Sequence, residues 1–448
     1  MPLIEVTQSV ALLLAVGSLL LFTALVSPTL HRLPVSTAMI YLSAGAVAGP
    51  AMLGWIAIDP IADSELLKTL TEIAVLVSLF VTGLKMDSAA GVFSWRPAIR
   101  LASLSMVLTI AGLAALAHWA LGLQWGLAVL LGSILAPTDP VLASDIQVRD
   151  IKDRDALRFS LSGEAGLNDG TAFPFVMLGL GLMGLHDLGN YGLTWIAKDV
   201  LWAISAGLAV GWATGYGVGK AIGLLHSTRV HSLQMNEFIA IGTIAVACGA
   251  AQLVSAYTFL AVFIAGVVLR RSLAAAATKP AGAKPAAETV ATAAADATVS
   301  AAEPLPQPAR HNAIADKVNT VLEFNGQLER IAELVLVGLI GVALSHIQWS
   351  WAIAGFVAAS LFVVRPAIVV LTLKRHHMRP AARNMAAWFG IRGIGSIYYL
   401  AYVVQAGVHG DDAQMLVSAT LAVVASSVVL HGISVTPLMA RYSGKTRK

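Results

Sequence analysis

The sequence contains about thirteen apolar stretches that are long enough, or nearly so, to cross a bilayer as helices. A hydrocarbon core of about 30 Å requires roughly 20 apolar residues per helix. Hydrophobic residues make up 57% of the chain and charged residues only 12%, against about 25% charged in a soluble domain. The stretches lie at about 8–27, 34–53, 66–84, 101–120, 124–147, 159–184, 194–219, 237–254, 256–270, 331–346, 350–373, 384–406 and 413–439. This pattern predicts an all-α polytopic membrane protein and argues against a soluble enzyme.

The distribution of lysine and arginine predicts the orientation of these spans. With the N-terminus outside, all but five of the 29 basic residues fall in inner segments, as expected when cytoplasmic loops are enriched in positive charge. The five exceptions are Lys68, Lys198, Arg330, Arg365 and Arg392. We therefore expect an inner-membrane protein with its C-terminus in the cytoplasm.

Residues 274–330 divide the apolar stretches into two groups. The segment 274–309 is rich in alanine and proline without apolar periodicity, which predicts a disordered cytoplasmic linker. Residues 311–330 carry apolar side chains at near-helical spacing and predict an amphipathic helix on the inner surface. The expected organisation is 1–273 with spans one to nine, including the first core motif region at 124–184. After 274–330 follow 331–440, with spans ten to thirteen, and a short tail at 441–448.

The fifth span contains two prolines around a carboxylate, since Pro137 and Pro140 bracket Thr138 and Asp139. Proline removes a backbone donor and clashes with the preceding turn, so we expect a broken helix. Broken helices free carbonyl and amide groups, from which many transporters build ion sites near the membrane midplane. The alternative is a simple proline kink in which Asp139 caps the second half-helix, and the two readings can coexist.

The sixth span carries a second carboxylate at mid-depth. Asp169 lies ten residues from the inner end, which is about 15 Å at 1.5 Å per residue. Asp139 reaches a similar depth, so the two carboxylates should converge, with Asn168 beside them. Ionisable groups within spans are costly and are functional candidates by default. A structural polar lock without a transport role is the alternative.

The twelfth span contains the run GIRGIGS, with three glycines around Arg392. Glycine weakens a helix and admits another backbone, so we predict a second interrupted helix, and interruptions in both halves indicate inverted repeats. Arg392 needs a carboxylate at its own depth, and Glu164 is the expected partner in a structural salt bridge. Arg365 in span eleven is a possible supporting charge that neutralises the site or holds the broken ends.

Three of these motifs together resemble the cation:proton antiporter superfamily. APTDPV, GEAGLNDGTA and GIRGIGS are similar to its NhaP-like sodium/proton branch, which is related to the sodium/hydrogen exchangers. The resemblance implies the NhaA-like antiporter fold with two crossing interrupted helices. It further implies that Asp169 binds either cation or proton, that Asn168, Thr138 and Asp139 accompany it, and that Glu164 and Arg392 form the core salt bridge.

The resemblance also implies a homodimer, an elevator-like movement of the core and electroneutral exchange. Sodium is the expected cargo, with Asp169 and Thr138 among its oxygen ligands, while lithium and potassium stay open. Two departures bear on this. Ala165 stands where the branch has a serine, which removes one oxygen ligand. Residues 79–87, LFVTGLKMD, resemble an electrogenic branch, so stoichiometry stays open too.

Other functional classes fit the sequence less well. An organic-anion symporter would present basic groups to its site, whereas two carboxylates lie near the midplane here. An intramembrane enzyme needs a nucleophile with a base or a metal cluster, and the eleven histidines show no zinc-binding spacing. A channel would be distinguished from an antiporter by the absence of coupled counterflow. We expect no cofactor and no nucleic-acid partner.

Overall fold

A computed structural model describes residues 35–86, 91–148, 153, 155–227, 236–278, 307–373 and 378–446, together with residues 10, 17, 18 and 21. All regular structure within these ranges is helical. The helices are α1 Thr37–Ala48, α2 Ser64–Lys85, α3 91–121, α4 Trp125–Leu135, α5 Ala156–Leu182, α6 195–227, α7 Asn236–Leu253, α8 Thr258–Thr278, α9 Gln307–Ala343, α10 351–372, α11 Pro380–Trp388, α12 Ile394–Gln405 and α13 Gly410–Thr446. The predicted all-α class is confirmed.

The predicted spans coincide with these helices from the second span onward. Span 8–27 lies almost entirely outside the described residues. Six helices among the described residues are long and apolar enough to cross a membrane by themselves. Their ends follow local chemistry: α5 begins at Asp155, whose side chain accepts the Leu157 and Arg158 amides at 2.9 and 3.0 Å, as an N-cap does.

The helices pack in two groups around the interruptions. In one, α3 packs on α4 and α5, and α11, α12 and α13 join them. In the other, α6 packs on α8, α1 packs on α9, and α2 lies between α8 and α9. The groups meet where α2 contacts α12 and where α8 contacts α5. Both interrupted helices therefore belong to the first group, and α12 and α5 of this group contact the second group.

The region between spans nine and ten differs from the prediction. The amphipathic helix expected at 311–330 is not separate from span ten, because α9 runs without a break from Gln307 to Ala343. Gly326 does not end the helix and no proline follows it before Ala343, so helical propagation continues into the apolar stretch. Of the predicted linker 274–309, residues 274–278 end α8 and 307–309 begin α9, while 279–306 lie outside the described residues.

Both predicted interruptions are present. After α4 the chain runs through turns at 136–143 into a single 3₁₀ turn, Ser144–Ile146. Between α11 and α12 residues 389–393 have no helical structure. Two π-helical turns, Leu101–Ser105 in α3 and Ser360–Val364 in α10, lie one helix before α4 and α11, which lead into the two breaks.

Candidate ion site at the two helix breaks

The first break, residues 136–143, is organised by the Asp139 carboxylate. Its Oδ1 accepts the backbone amides of Val141 at 2.8 Å and Leu142 at 3.2 Å. This is the pattern of a capping residue, which satisfies amides that a helix start leaves without partners. Asp139 therefore caps backbone amides, as the alternative reading expected, but these amides belong to a turn and not to a second half-helix. Cation binding by Asp139 stays a prediction.

The second break, residues 389–393, is joined to the first through the same residue. The Asp139 amide donates to the Ile391 carbonyl at 2.9 Å. The other carboxylate oxygen of Asp139, Oδ2, accepts the Gly395 amide at 3.2 Å in the first turn of α12. A single carboxylate thus accepts amides from the turn of the first break and from the first turn of α12.

Gly393, at the end of the second break, and Gly395, in the first turn of α12, make this approach possible. A Cβ added at Gly393 would lie 2.6 Å from Asp139 Oδ2, closer than real Cβ atoms come to an oxygen. A Cβ at Gly395 would lie 3.5 Å from Asp169 Oδ1, an ordinary contact. The first turn of α12 therefore passes Asp139 at Gly393 and Asp169 at Gly395, which brings the two carboxylates together as predicted.

The second break contacts the first in return. The Arg392 guanidinium donates to the Pro137 carbonyl at 3.0 Å, and the Ser396 hydroxyl donates to the Ile134 carbonyl at 2.8 Å. Carbonyls at the C-terminal end of a helix have no intrahelical partner. These two side chains thus satisfy the end of α4, and Ser396 has a structural role that the sequence reasoning missed.

Asp169 and Asn168 bring α5 to the same place. The Asn168 amide nitrogen donates to the Thr138 hydroxyl at 2.7 Å and lies 3.3 Å from the Thr138 carbonyl oxygen. Asn168 Oδ1 and Asp169 Oδ2 are buried and have no hydrogen-bond partner among the described residues. Two neighbouring residues of α5 thus each carry a buried oxygen without a hydrogen-bond partner among the described residues.

The predicted partner of Glu164 is wrong. Glu164 forms a bidentate salt bridge with Arg365, in which one nitrogen–oxygen distance is 2.9 Å. The prediction counted depth along an unbroken helix, but residues 389–393 are not helical, so the rise of about 1.5 Å per residue does not apply to them. Arg392 is thereby carried to the first break. Arg365 takes the structural role, which fits its prediction as a supporting charge.

Several contacts near the site have no clear sequence signal. The Tyr399 hydroxyl donates to the Asp169 carbonyl. The Thr171 hydroxyl donates at 2.7 Å to the Ala102 carbonyl in the π-helical turn of α3. Beyond Asp169 along α5, Phe173 packs against an aromatic group. Its members are Tyr257, Tyr399 and Tyr402. Rings thus cover the site on the side towards Leu182.

Every candidate residue is buried. The predicted set comprises Thr138, Asp139, Glu164, Asn168, Asp169, Arg365 and Arg392. The low dielectric constant of a buried site strengthens electrostatic interactions and makes an unpaired ionised group costly. The arrangement can therefore hold a small cation or a proton on oxygen atoms, near two arginines that already have partners.

Comparison with known proteins agrees with this architecture. A family model described as "Sodium/hydrogen exchanger, transmembrane" matches residues 19–441. A K(+)/H(+) antiporter NhaP of Alkalimonas amylolytica is 26% identical over 436 residues, which cover 95% of this chain and 66% of that protein. A Na(+)/H(+) antiporter NhaP of Pseudomonas aeruginosa is 26% identical over 333 residues, 71% of this chain and 66% of that protein. The chain thus spans about two thirds of the length of these relatives.

A solved structure gives the same fold. The sodium proton antiporter MjNhaP1 from Methanocaldococcus jannaschii superposes with a TM-score of 0.69 at 17% identity, covering 99% of both chains. A second structure of that protein, at pH 8, gives a TM-score of 0.65 at 16% identity, over 95% of this chain and 98% of that one. The predicted fold class is confirmed, and the chain is a multi-pass membrane protein.

Proposed function

Because the chain belongs to the sodium/hydrogen exchanger family, a family of transporters, we propose that it exchanges a monovalent cation for a proton across the membrane. Asp169 is the group that takes up either one. The exchange alternates access to Asp169 from the two sides of the bilayer. This is secondary transport and involves no catalytic chemistry.

The observation that carries the proposal is the unpaired oxygen of a buried carboxylate. Asp169 is 1% exposed, and its Oδ2 has no hydrogen-bond partner among the described residues. An ionised carboxylate in such a place is costly unless something neutralises it. A proton neutralises it by covalent addition, and a cation neutralises it by coordination.

The neighbouring oxygens fit a small hard cation. Asn168 Oδ1 is also unpaired, and the Thr138 hydroxyl lies next to it in the first break, held by the Asn168 amide at 2.7 Å. Carboxylate, carbonyl and hydroxyl oxygens suit hard cations. Because protonation of Asp169 removes the charge that a cation needs, the two ligands compete, and competition on one mobile site couples their flows.

Sodium is the cargo we propose, with potassium as the second candidate. The name of the Pseudomonas relative specifies Na(+) and that of the Alkalimonas relative K(+), at equal identity. Ala165 provides no side-chain oxygen beside Glu164, which leaves fewer protein ligands and favours a site completed by water. One positive charge exchanged for one proton makes the cycle electroneutral.

Proteoliposomes with a trapped pH-sensitive dye provide the test. A pH gradient is imposed, and NaCl, KCl or LiCl is added in turn. We expect rapid dequenching for the protein with at least one salt, unchanged by collapse of the membrane potential. Asp169→Asn, which cannot take up a proton, should abolish the response while the protein still inserts.

The matched control is Asp411→Asn, which removes a carboxylate from the exposed start of α13 and should leave the exchange unchanged. Exchange at the parental rate by Asp169→Asn would remove Asp169 from the proposal. A current without coupled proton movement would make the protein a channel. No response to any of the three salts would reject the proposed function itself.

We also propose a homodimer in the inner membrane with the N-terminus outside. The orientation is supported by the basic residues of the predicted inner segments, and dimerisation by the resemblance of the three motifs. After replacement of Cys248, single cysteines at His409 and Arg441 should react with an impermeant reagent from outside and from inside, respectively. Labelling of both from the same side would contradict the orientation.

A further inference from the structure

A buried histidine on α13 reaches both ends of the second break, one directly and the other through Ser427. His431 is 3% exposed and lies in the apolar interior of a helix, where no motif explains it. Its Nε2 is 3.1 Å from the carbonyl oxygen of Trp388, the last residue of α11. Its Nδ1 is 3.1 Å from the Ser427 hydroxyl and 2.9 Å from the Ser427 carbonyl oxygen.

The Ser427 hydroxyl extends this contact to the far end of the break. Its oxygen accepts the backbone amide of Arg392 at 2.9 Å. Both ring nitrogens lie near a carbonyl oxygen, which only accepts, and a neutral ring donates from one nitrogen alone. With the proton on Nε2, the ring donates to Trp388. Nδ1 is then free to accept the Ser427 hydroxyl proton, while the hydroxyl oxygen accepts from Arg392.

We propose that His431 is a positioning residue of the second break, where it fixes the distance between the end of α11 and Arg392. The spacing it sets determines where Arg392 and Gly395 meet the first break. A second contact holds the end of α11 against α13, because the Trp388 indole nitrogen donates to the Ser434 hydroxyl at 2.9 Å. His431 thus acts on the ion site through α11 and Arg392 without touching the ion.

Hydrogen bonding, and not ring volume, carries this role. Glutamine offers a donor and an acceptor at the end of a side chain, and methionine has nearly the same shape without them. A buried carbonyl or hydroxyl left without its partner costs enough to change an equilibrium about tenfold. His431→Gln and His431→Met therefore form a matched pair.

The first measurement rests on the proposed function. With the cation that drives exchange, His431→Met should raise the half-saturating cation concentration about tenfold, and its maximal rate should change less. His431→Gln should stay within about threefold of the parent. His409→Met, a substitution at an exposed histidine between α12 and α13, controls for loss of a histidine and should have no effect. Equal impairment by Gln and Met would overturn the proposal.

The second measurement does not need transport. Hydrogen exchange of the Arg392 amide, followed by mass spectrometry of peptides over 389–396, should be about tenfold faster in His431→Met and in Ser427→Ala. It should be unchanged in His431→Gln. If the parent protein exchanges no cation, the proposed function fails while this experiment still decides the role of His431. If the Met variant does not fold, His431→Leu, which also removes both ring nitrogens, takes its place, and an unchanged Arg392 amide there overturns the proposal.

Discussion

The two helix breaks interrupt their spans with different residues and carry opposite charges. The first has two prolines and an acid, Asp139, whereas the second has glycines and a base, Arg392. Each charged side chain contacts the backbone of the other break: Asp139 accepts from Gly395 at 3.2 Å, and Arg392 donates to Pro137 at 3.0 Å. The breaks are therefore complementary and depend on one another.

Helix dipoles explain why the charges are distributed in this way. The second break leads into α12, whose N-terminal end carries a partial positive charge that favours a carboxylate. The first break follows the C-terminal end of α4, whose carbonyls favour a cation. After the first break the chain makes only turns and one 3₁₀ turn, Ser144–Ile146. The strong N-terminal dipole at this site thus comes from the second break, although the acid comes from the first.

The largest expected effect tests whether the second break depends on a brace outside it. Arg365 pairs with Glu164. Its side chain also packs against the second break, since a Cβ added at Gly390 would lie 3.0 Å from Arg365 Cγ. Arg365→Leu leaves the buried Glu164 charge uncompensated, which costs about 3–5 kcal/mol. We expect a much lower melting temperature of the purified protein in detergent, measured by tryptophan fluorescence.

The double variant Glu164→Gln with Arg365→Gln sharpens this prediction. It removes both charges, and replacing a buried pair is far less damaging than removing one partner. Most of the lost melting temperature should return. If the double variant were as unstable as the single one, Arg365 would act by packing against the second break and not by neutralising Glu164.

The next effect tests the complementarity directly. Asp139→Asn keeps one acceptor oxygen for Val141 and Leu142 but turns an amide nitrogen towards the Gly395 amide. We expect a loss of about 1–3 kcal/mol and faster hydrogen exchange at both breaks. If hydrogen exchange changed only in peptides over 136–143, the structure of the second break would not depend on the first.

The sequence predicts both breaks and the meeting of the carboxylates because these depend on local chemistry. Prolines and glycines interrupt a helix wherever they lie, and span length sets the depth of Asp169. The partner of Glu164 is different in kind. It depends on how far an interrupted segment extends, and residues 389–393 have no periodicity that would reveal it. The π-helical turn that contains Ala102, whose carbonyl accepts the Thr171 hydroxyl, has no residue signature either.

Substitution of Gly393 and of Gly395 tests the surroundings of Asp139 and of Asp169 one at a time. In Gly393→Ala the new Cβ would lie 2.6 Å from Asp139 Oδ2, so the cap must shift, and we expect a loss of about 1–3 kcal/mol measured by thermal melting. In Gly395→Ala the new Cβ lies 3.5 Å from Asp169 Oδ1. That variant should fold normally.

The exchange assay then distinguishes the two glycines. The added methyl group of Gly395→Ala occupies space beside Asp169, so the half-saturating cation concentration should rise, and more for potassium than for the smaller sodium and lithium ions. Equal effects of the two substitutions on melting would contradict the assignment of one glycine to each carboxylate.

The smallest expected effect concerns a neutral contact between the breaks. Ser396→Ala removes the hydroxyl that donates to Ile134 at 2.8 Å, which should cost about 1 kcal/mol. Ser133→Ala is the matched control, because that hydroxyl donates at 2.7 Å to Val129 within its own helix. The Val129 carbonyl lies inside α4 and keeps its backbone partner, so the control should lower the melting temperature less. Equal losses would mean that the end of α4 does not need the second break, and the coupling would then rest on Asp139 and Arg392 alone.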